Sequence, residues 1–183
     1  VATRLTHRAV PSMLRRLTAL ALFITASHAY AGAQQYEPLS AAVQARMQRS
    51  IADHAAPRIA IDDPFEAEVW LKTMSARLAS RMPDEATRTE FLTSVHYEAT
   101  RAGLDPHLVL GLIQVESNFR KYALSSAGAR GFMQVMPFWP RLIGSPDHNL
   151  FHLRTSLRYG CTILRHYLDI ERGDMTRALL RYN

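Results

Sequence analysis

At 183 residues the chain suits one domain and is short for two, and its 48% apolar content fits a packed core rather than disorder. The formal charge is +6, but residues 1–33 hold Arg4, Arg8, Arg15 and Arg16 and no Asp or Glu; taking those four away leaves +2, too little for a nucleic-acid footprint. The single cysteine, Cys161, excludes an internal disulfide, and its place far from the start excludes a lipid anchor on a leading cysteine.

In chain order, the first feature is Arg15-Arg16 followed by the apolar run Leu17 to Ala26, too short to span a bilayer. Ala29-Tyr30-Ala31 and Gly32-Ala33 come next. A basic patch, a short apolar run and small residues are the pattern of a cleaved secretory signal, with the cut predicted after Ala31 or Ala33. Met13 just ahead of the arginines makes Val1 to Ser12 an expected upstream extension. The product is then expected to be periplasmic or secreted, without a stable membrane anchor. Three regions follow: residues 1–33 as extension and signal, 34–102 as an N-terminal helical region, and 103–183 as a second helical unit.

Beyond residue 33 the periodicity is helical nearly throughout, which predicts an all-α fold. A helix is expected from about Ser40, with Val43, Met47 and Ile51 inward. Ala55 to Asp62 reads as a connection. Asp63-Pro64-Phe65-Glu66 is a helix start, with a capping aspartate, a first-turn proline and a capping-box glutamate. Its stripe is Ala67, Leu71, Met74 and Leu78, and Pro83 ends it. A third helix is predicted from Asp84 to Ala102, with Leu92, Val95 and Ala99 inward and Gly103 as its stop. Asp105-Pro106 repeats the cap-and-proline signal. The next helix, Leu108 to Val115, is apolar almost all round and so is expected to be the central, buried one. Ser125 to Gly131 must be a loop, and a short helix is predicted from Phe132 to Met136, stopped by Pro137. A long helix follows over about Leu150 to Ile170, with Leu153, Leu157, Cys161, Leu164 and Leu168 inward. Gly173 closes it and Asp174 caps another. Because Asn183 falls partway into that last helix with no stop signal, the chain is expected to be incomplete at its C-terminus.

Glu116 is the residue that needs explaining. It follows an apolar run at the end of a helix, where both burial and the negative end of the helix dipole disfavour a carboxylate and raise its pKa. A carboxyl kept neutral near pH 7 suits a general acid for glycosidic bonds. The plain alternative is a core-edge glutamate paired with Arg120 or Arg130. His148 and His152, the one histidine pair at helical spacing in an ordered region, have no acidic partner, so no metal is expected. No serine-hydrolase, phosphate-loop or dinucleotide motif is present, and no cofactor is expected.

The surroundings of Glu116 carry a longer pattern. Glu116-Ser117 is followed by Phe119, then Ala123-Leu124-Ser125, then Gly128-Ala129-Arg130-Gly131-Phe132-Met133-Gln134, then Met136-Pro137. Further on, Asn149 opens a helix holding Gly160, and Ala178, Leu179, Tyr182 and Asn183 follow. This series closely resembles the soluble lytic murein transglycosylase family, with Phe132 in place of the usual leucine, over roughly residues 103–183. The resemblance implies a lysozyme-like helical fold acting on the glycan strands of peptidoglycan. It also implies that one glutamate, here Glu116, performs both proton transfers and leaves a 1,6-anhydro ring. By the same resemblance Ser125, Gln134 and Met136 match cleft positions. Tyr182 matches a tyrosine reaching the catalytic glutamate or the substrate, and Asn183 is its neighbour. For Ser125 and Gln134 the alternative is capping of backbone in the glycine-rich loop; for Met136 it is core packing. The competing functions are a goose-type hydrolytic muramidase, with Asp147 as the acidic residue best placed to assist, and a non-catalytic glycan-binding or secretion-accessory module working with cell-envelope machinery.

Overall fold

A computed structural model describes residues 34–183. The extension and the predicted signal segment, residues 1–33, lie outside the described residues. The described chain is all-helical: α1 (Ala41–Ile51), α2 (Pro64–Leu78), α3 (Glu85–Arg101), α4 (Pro106–Ser117), α5 (Phe138–Ile143), α6 (Leu153–Ile170) and α7 (Met175–Tyr182). The only β-type pairings among these residues are two isolated bridges, Leu124 with Arg130 and Arg130 with Val135. This agrees with the all-α class and with the lysozyme-like fold implied by the resemblance.

Helix starts follow the capping chemistry in the sequence. Ser40, Asp63, Asp84, Asp105 and Asp174 each accept a hydrogen bond from a first-turn backbone N–H with their side chains. Such a cap is worth about 1 kcal/mol, because it satisfies a donor the helix itself leaves unpaired. Gly103 and Gly173 close α3 and α6 as predicted, with Leu104 N–H returning to Ala99 and Gly173 N–H to Leu168.

The core differs from expectation in one respect. The central helix is α6, not α4: twelve of its 18 residues are buried, and α1, α3 and α7 pack on it. Leu157, Cys161, Leu164 and Leu168 turn inward as their spacing predicts. Gly160 is needed because α6 meets Met133 there; a Cβ would sit 2.3 Å from the Met133 sulfur. Helix α4 buries Val109, Leu112, Ile113 and Glu116 but leaves Gly111, Gln114 and Val115 exposed, Val115 by 72%. Apolar composition overstated its burial, since Val115 and the half-buried Leu108 border a surface pocket instead of a neighbouring helix.

The predicted helix over Phe132 to Met136 is also corrected. Phe132 to Gln134 form a turn, Val135 pairs with Arg130 in an isolated bridge, and the helix, α5, begins just after Pro137. Gln134 adopts φ of 46°, which a helix cannot accommodate. Proline lacks a donor and has φ preset near the helical value, so here it opens a helix rather than stopping one.

Candidate active site

Glu116 stands in the last turn of α4. Directly after it the chain reverses through two left-handed residues, Asn118 (φ 48°) and Phe119 (φ 62°). Phe119 is held by edge-on contact with Phe91, which also meets Phe132. Glu116 is only 6% exposed, and neither carboxyl oxygen has a hydrogen-bond partner among the described residues. Burial without a partner raises its pKa from 4.5 to about 7. The ion-pair alternative is not what forms: Arg120 instead donates to the Ser117 carbonyl, and Arg130 points to solvent.

Glu116 lines a pocket of about 290 Å³ together with Leu108, Gly111, Leu112, Val115, Leu179 and Asn183. Among the described residues no other acidic side chain lines it. Tyr182 is completely buried beside it and donates to the Met133 carbonyl at 2.8 Å. Burial first, and then the charge of Glu116, push the Tyr182 hydroxyl well above its ordinary pKa, so the two groups lie in one another's field.

The glycine-rich loop is a self-bonded unit. Arg130 and Val135 exchange both backbone hydrogen bonds, and Gly131 N–H donates to the Ala123 carbonyl at 2.9 Å. Gly131 has φ of 77°, and a Cβ on it would meet the Leu150 carbonyl oxygen at 2.2 Å, so no other residue fits. Ser125 closes the loop, its Oγ accepting from Ala129 N–H. Gln134 is 2% exposed, and its Nε2 donates to the carbonyls of Ala123 and Gly131 at 3.1 and 3.0 Å. Both amide hydrogens are thereby used within the loop, leaving only Oε1 to face a ligand. Met136 is half-buried. The structure thus brings Asn183 into the Glu116 pocket and Tyr182 against it. Ser125, Gln134 and Met136 belong to the adjoining loop and do not line that pocket. Asp147 is exposed on the loop before α6, and among the described residues no metal-binding cluster forms. His148 bonds the Tyr159 hydroxyl.

One residue had no sequence signal. Gln34 is 3% exposed, donates to the Gln134 carbonyl, and accepts from Met136 N–H and the Trp139 indole N–H. A glutamine in a polar stretch a hundred residues from its partners cannot be read as a clamp. Gln34→Ala should cost roughly 2–3 kcal/mol in chemical denaturation, since two buried donors lose their acceptor. Gln34→Glu keeps that acceptor and should recover part of the loss. Equal stability of all three proteins would show that Gln34 does not hold the loop.

A buried carboxyl with no partner among the described residues, its pKa raised toward neutrality beside a pocket, suits general acid–base chemistry. The family description Transglycosylase SLT domain matches residues 94–183, a span that begins within α3. Over that span the chain belongs to the Transglycosylase SLT domain family. It is 38% identical over 80 residues to a transglycosylase of Enterobacteria phage PRD1, covering 44% of this chain and 29% of that protein. It is 45% identical over 53 residues to a membrane-bound lytic murein transglycosylase C of Actinobacillus pleuropneumoniae serotype 5b (strain L20), covering 29% and 14%. A protein of the same description from Mannheimia succiniciproducens is 46% identical over 48 residues, covering 26% and 13%. The chain therefore spans less than a third of the length of each of these relatives. No solved structure gives a significant match.

Proposed function

We propose that this chain is a peptidoglycan lytic transglycosylase in which Glu116 alone acts as acid and then as base. The observation that carries this is the carboxyl itself: buried, with a pKa near 7 and, among the described residues, with no hydrogen-bond partner and no second acidic side chain in its pocket. Protonated Glu116 gives its proton to the oxygen joining N-acetylmuramic acid to N-acetylglucosamine as the C1–O bond breaks. The resulting carboxylate takes the proton from the C6 hydroxyl of the same muramic residue, while O6 bonds to C1. The proton count closes, no water is consumed, and the product is a 1,6-anhydro end. A hydrolytic route of the two-carboxylate kind needs a second acid or a held water, and Asp147 lies on a different loop.

Of the remaining site residues, Asn183 lines the same pocket as Glu116, and Tyr182 fixes the adjoining loop through Met133. Gln134 offers Oε1 to a substrate amide or hydroxyl, Ser125 holds the loop's shape, and Met136 lies at its edge. The catalytic unit is residues 103–183, supported by the helices of 34–102.

Activity should follow the protonated fraction of Glu116. kcat/KM for anhydromuropeptide release should be flat below about pH 7 and fall roughly tenfold per pH unit above it. A rate that instead rises through pH 7 would mean that the carboxyl must start ionised, as for a base. The product ends, anhydro or reducing, separate the lytic from the hydrolytic reading.

For location, we propose export by the segment 1–33, giving a mature chain that starts at Gly32 or Gln34. No helix among the described residues is long and apolar enough to cross a membrane. N-terminal sequencing of periplasmic protein checks this; an unprocessed chain found only in the cytoplasm counts against it.

A further inference from the structure

Helix α2 lies outside the family-matched residues, yet it walls a second groove, of about 240 Å³, against α4. Met74, Leu78 and Phe119 form an apolar floor, Arg77 and Arg81 stand on the α2 side, and Gln114 faces them from α4. Among the described residues no acidic side chain lines this groove. Among the described residues neither arginine has a carboxylate within ion-pair distance. Arg81 is held in place, its Nε donating to Asn118 Oδ1 at 3.0 Å and its guanidinium lying 5.8 Å from the Phe119 ring centre. Arg81 thus ties the groove to Asn118, the residue that caps the Glu116 helix.

The groove and the Glu116 pocket share one residue, Gly111. Gly111 is exposed, and a Cβ there would meet nothing within 4 Å. Packing does not demand a glycine in mid-helix, where it costs stability. Its effect is to lower the ridge of α4 to bare backbone between the two concavities, so a ligand seated at Glu116 can pass over into the groove.

Two uncompensated guanidinium groups above an apolar floor suit a ligand that is anionic and partly methyl-covered. The sugar rings of a glycan strand supply no charge. The short peptides carried on its muramic residues supply both carboxylates and small apolar side chains. We propose that the α2–α4 groove binds the carboxylate-bearing peptide of the substrate, with Arg77 and Arg81 on its carboxylates, so that α2 sets a preference for peptide-bearing over bare strands. This rests on the reading of Glu116 given above.

The test is binding of two glycan oligomers to Glu116→Gln protein, one carrying its peptides and one stripped of them by an amidase and then amidated at the exposed lactyl carboxylates, so that the bare strand is uncharged. The peptide-bearing oligomer should bind about 5- to 10-fold more tightly, the worth of two partly exposed charge pairs, and the difference should shrink with salt. Adding Arg77→Glu should erase that difference and leave the stripped oligomer unchanged. Adding Gly111→Gln, which has room to fold, should reduce it as well. Equal binding of the two oligomers, or an unchanged difference with Arg77→Glu, overturns the proposal. Failure of the catalytic reading looks different: the parent protein would release no anhydromuropeptides, whatever its binding preference.

Discussion

Glu116→Gln is expected to cut release of anhydromuropeptides by at least about 10²-fold, with glycan binding retained. The amide has the shape of the carboxyl but exchanges no proton at neutral pH, and both halves of the proposed reaction need that exchange. General acid–base catalysis alone is typically worth about 10²- to 10⁴-fold. Because Glu116 has no partner among the described residues, the substitution breaks no ion pair and no hydrogen bond there. A folded Glu116→Gln protein that works at the parent rate would remove Glu116 from the mechanism and make Asp147 the next residue to substitute.

The same carboxyl leaves a mark on stability, with a sign opposite to that of a salt-bridged acid. Its folded pKa, about 7, lies above the ordinary 4.5, so between those values the folded state holds a proton that the unfolded state has released. The contribution is fully present below about pH 4.5, declines as the pH rises to about 7, and is level above. The difference amounts to about 3 kcal/mol. Glu116→Gln should remove this slope and be the more stable protein at pH 8 by up to that amount. Denaturant curves of both proteins at pH 4.5 and pH 8 measure it.

What could be read in advance divides by the range of the interaction. Caps, prolines and glycine stops act within a few residues, and Asp63, Asp105, Gly103 and Asp174 do what their neighbours in sequence imply. The stripe Leu157, Cys161, Leu164, Leu168 was legible because spacing alone decides which face of α6 is buried. The fate of Pro137 was not, because it depends on Gln134 adopting a left-handed backbone, and that conformation is fixed by bonds to Ala123, Gly131 and Gln34. The standing of α4 was misread for a related reason: hydropathy reports what a face prefers, not whether another element covers it. In the site, Glu116 stood out as a carboxyl in an apolar run, and the structure adds its lack of a partner. Gln34 and the groove arginines depend on contacts between distant segments, which no local pattern encodes.

The most damaging single substitution to the scaffold is expected at Glu98, which is completely buried on α3. One carboxyl oxygen accepts from Arg101 on the same helix at 2.8 Å, and the other from Arg158 on α6 at 3.1 Å. The two guanidiniums also donate to the carbonyls of Ser50 and Ile51 at the end of α1. One buried carboxylate thus ties three helices through two arginines, one 19% and the other 9% exposed at the side chain. Removing a partner from such a network is costly because the remaining charge can neither pair nor reach water. Glu98→Ala should therefore destabilise by about 3–5 kcal/mol, a large share of a typical domain's 5–15 kcal/mol. At roughly 2–4 °C per kcal/mol for a domain of this size, the melting temperature should fall by about 6–20 °C. Glu98→Gln, still an acceptor but uncharged, should fall between. Adding Arg158→Met to Glu98→Ala removes the stranded cation and should restore part of the loss. If the double substitution is instead as unstable as the sum of the two single ones, the cost lies in lost packing between α3 and α6 and not in an uncompensated charge.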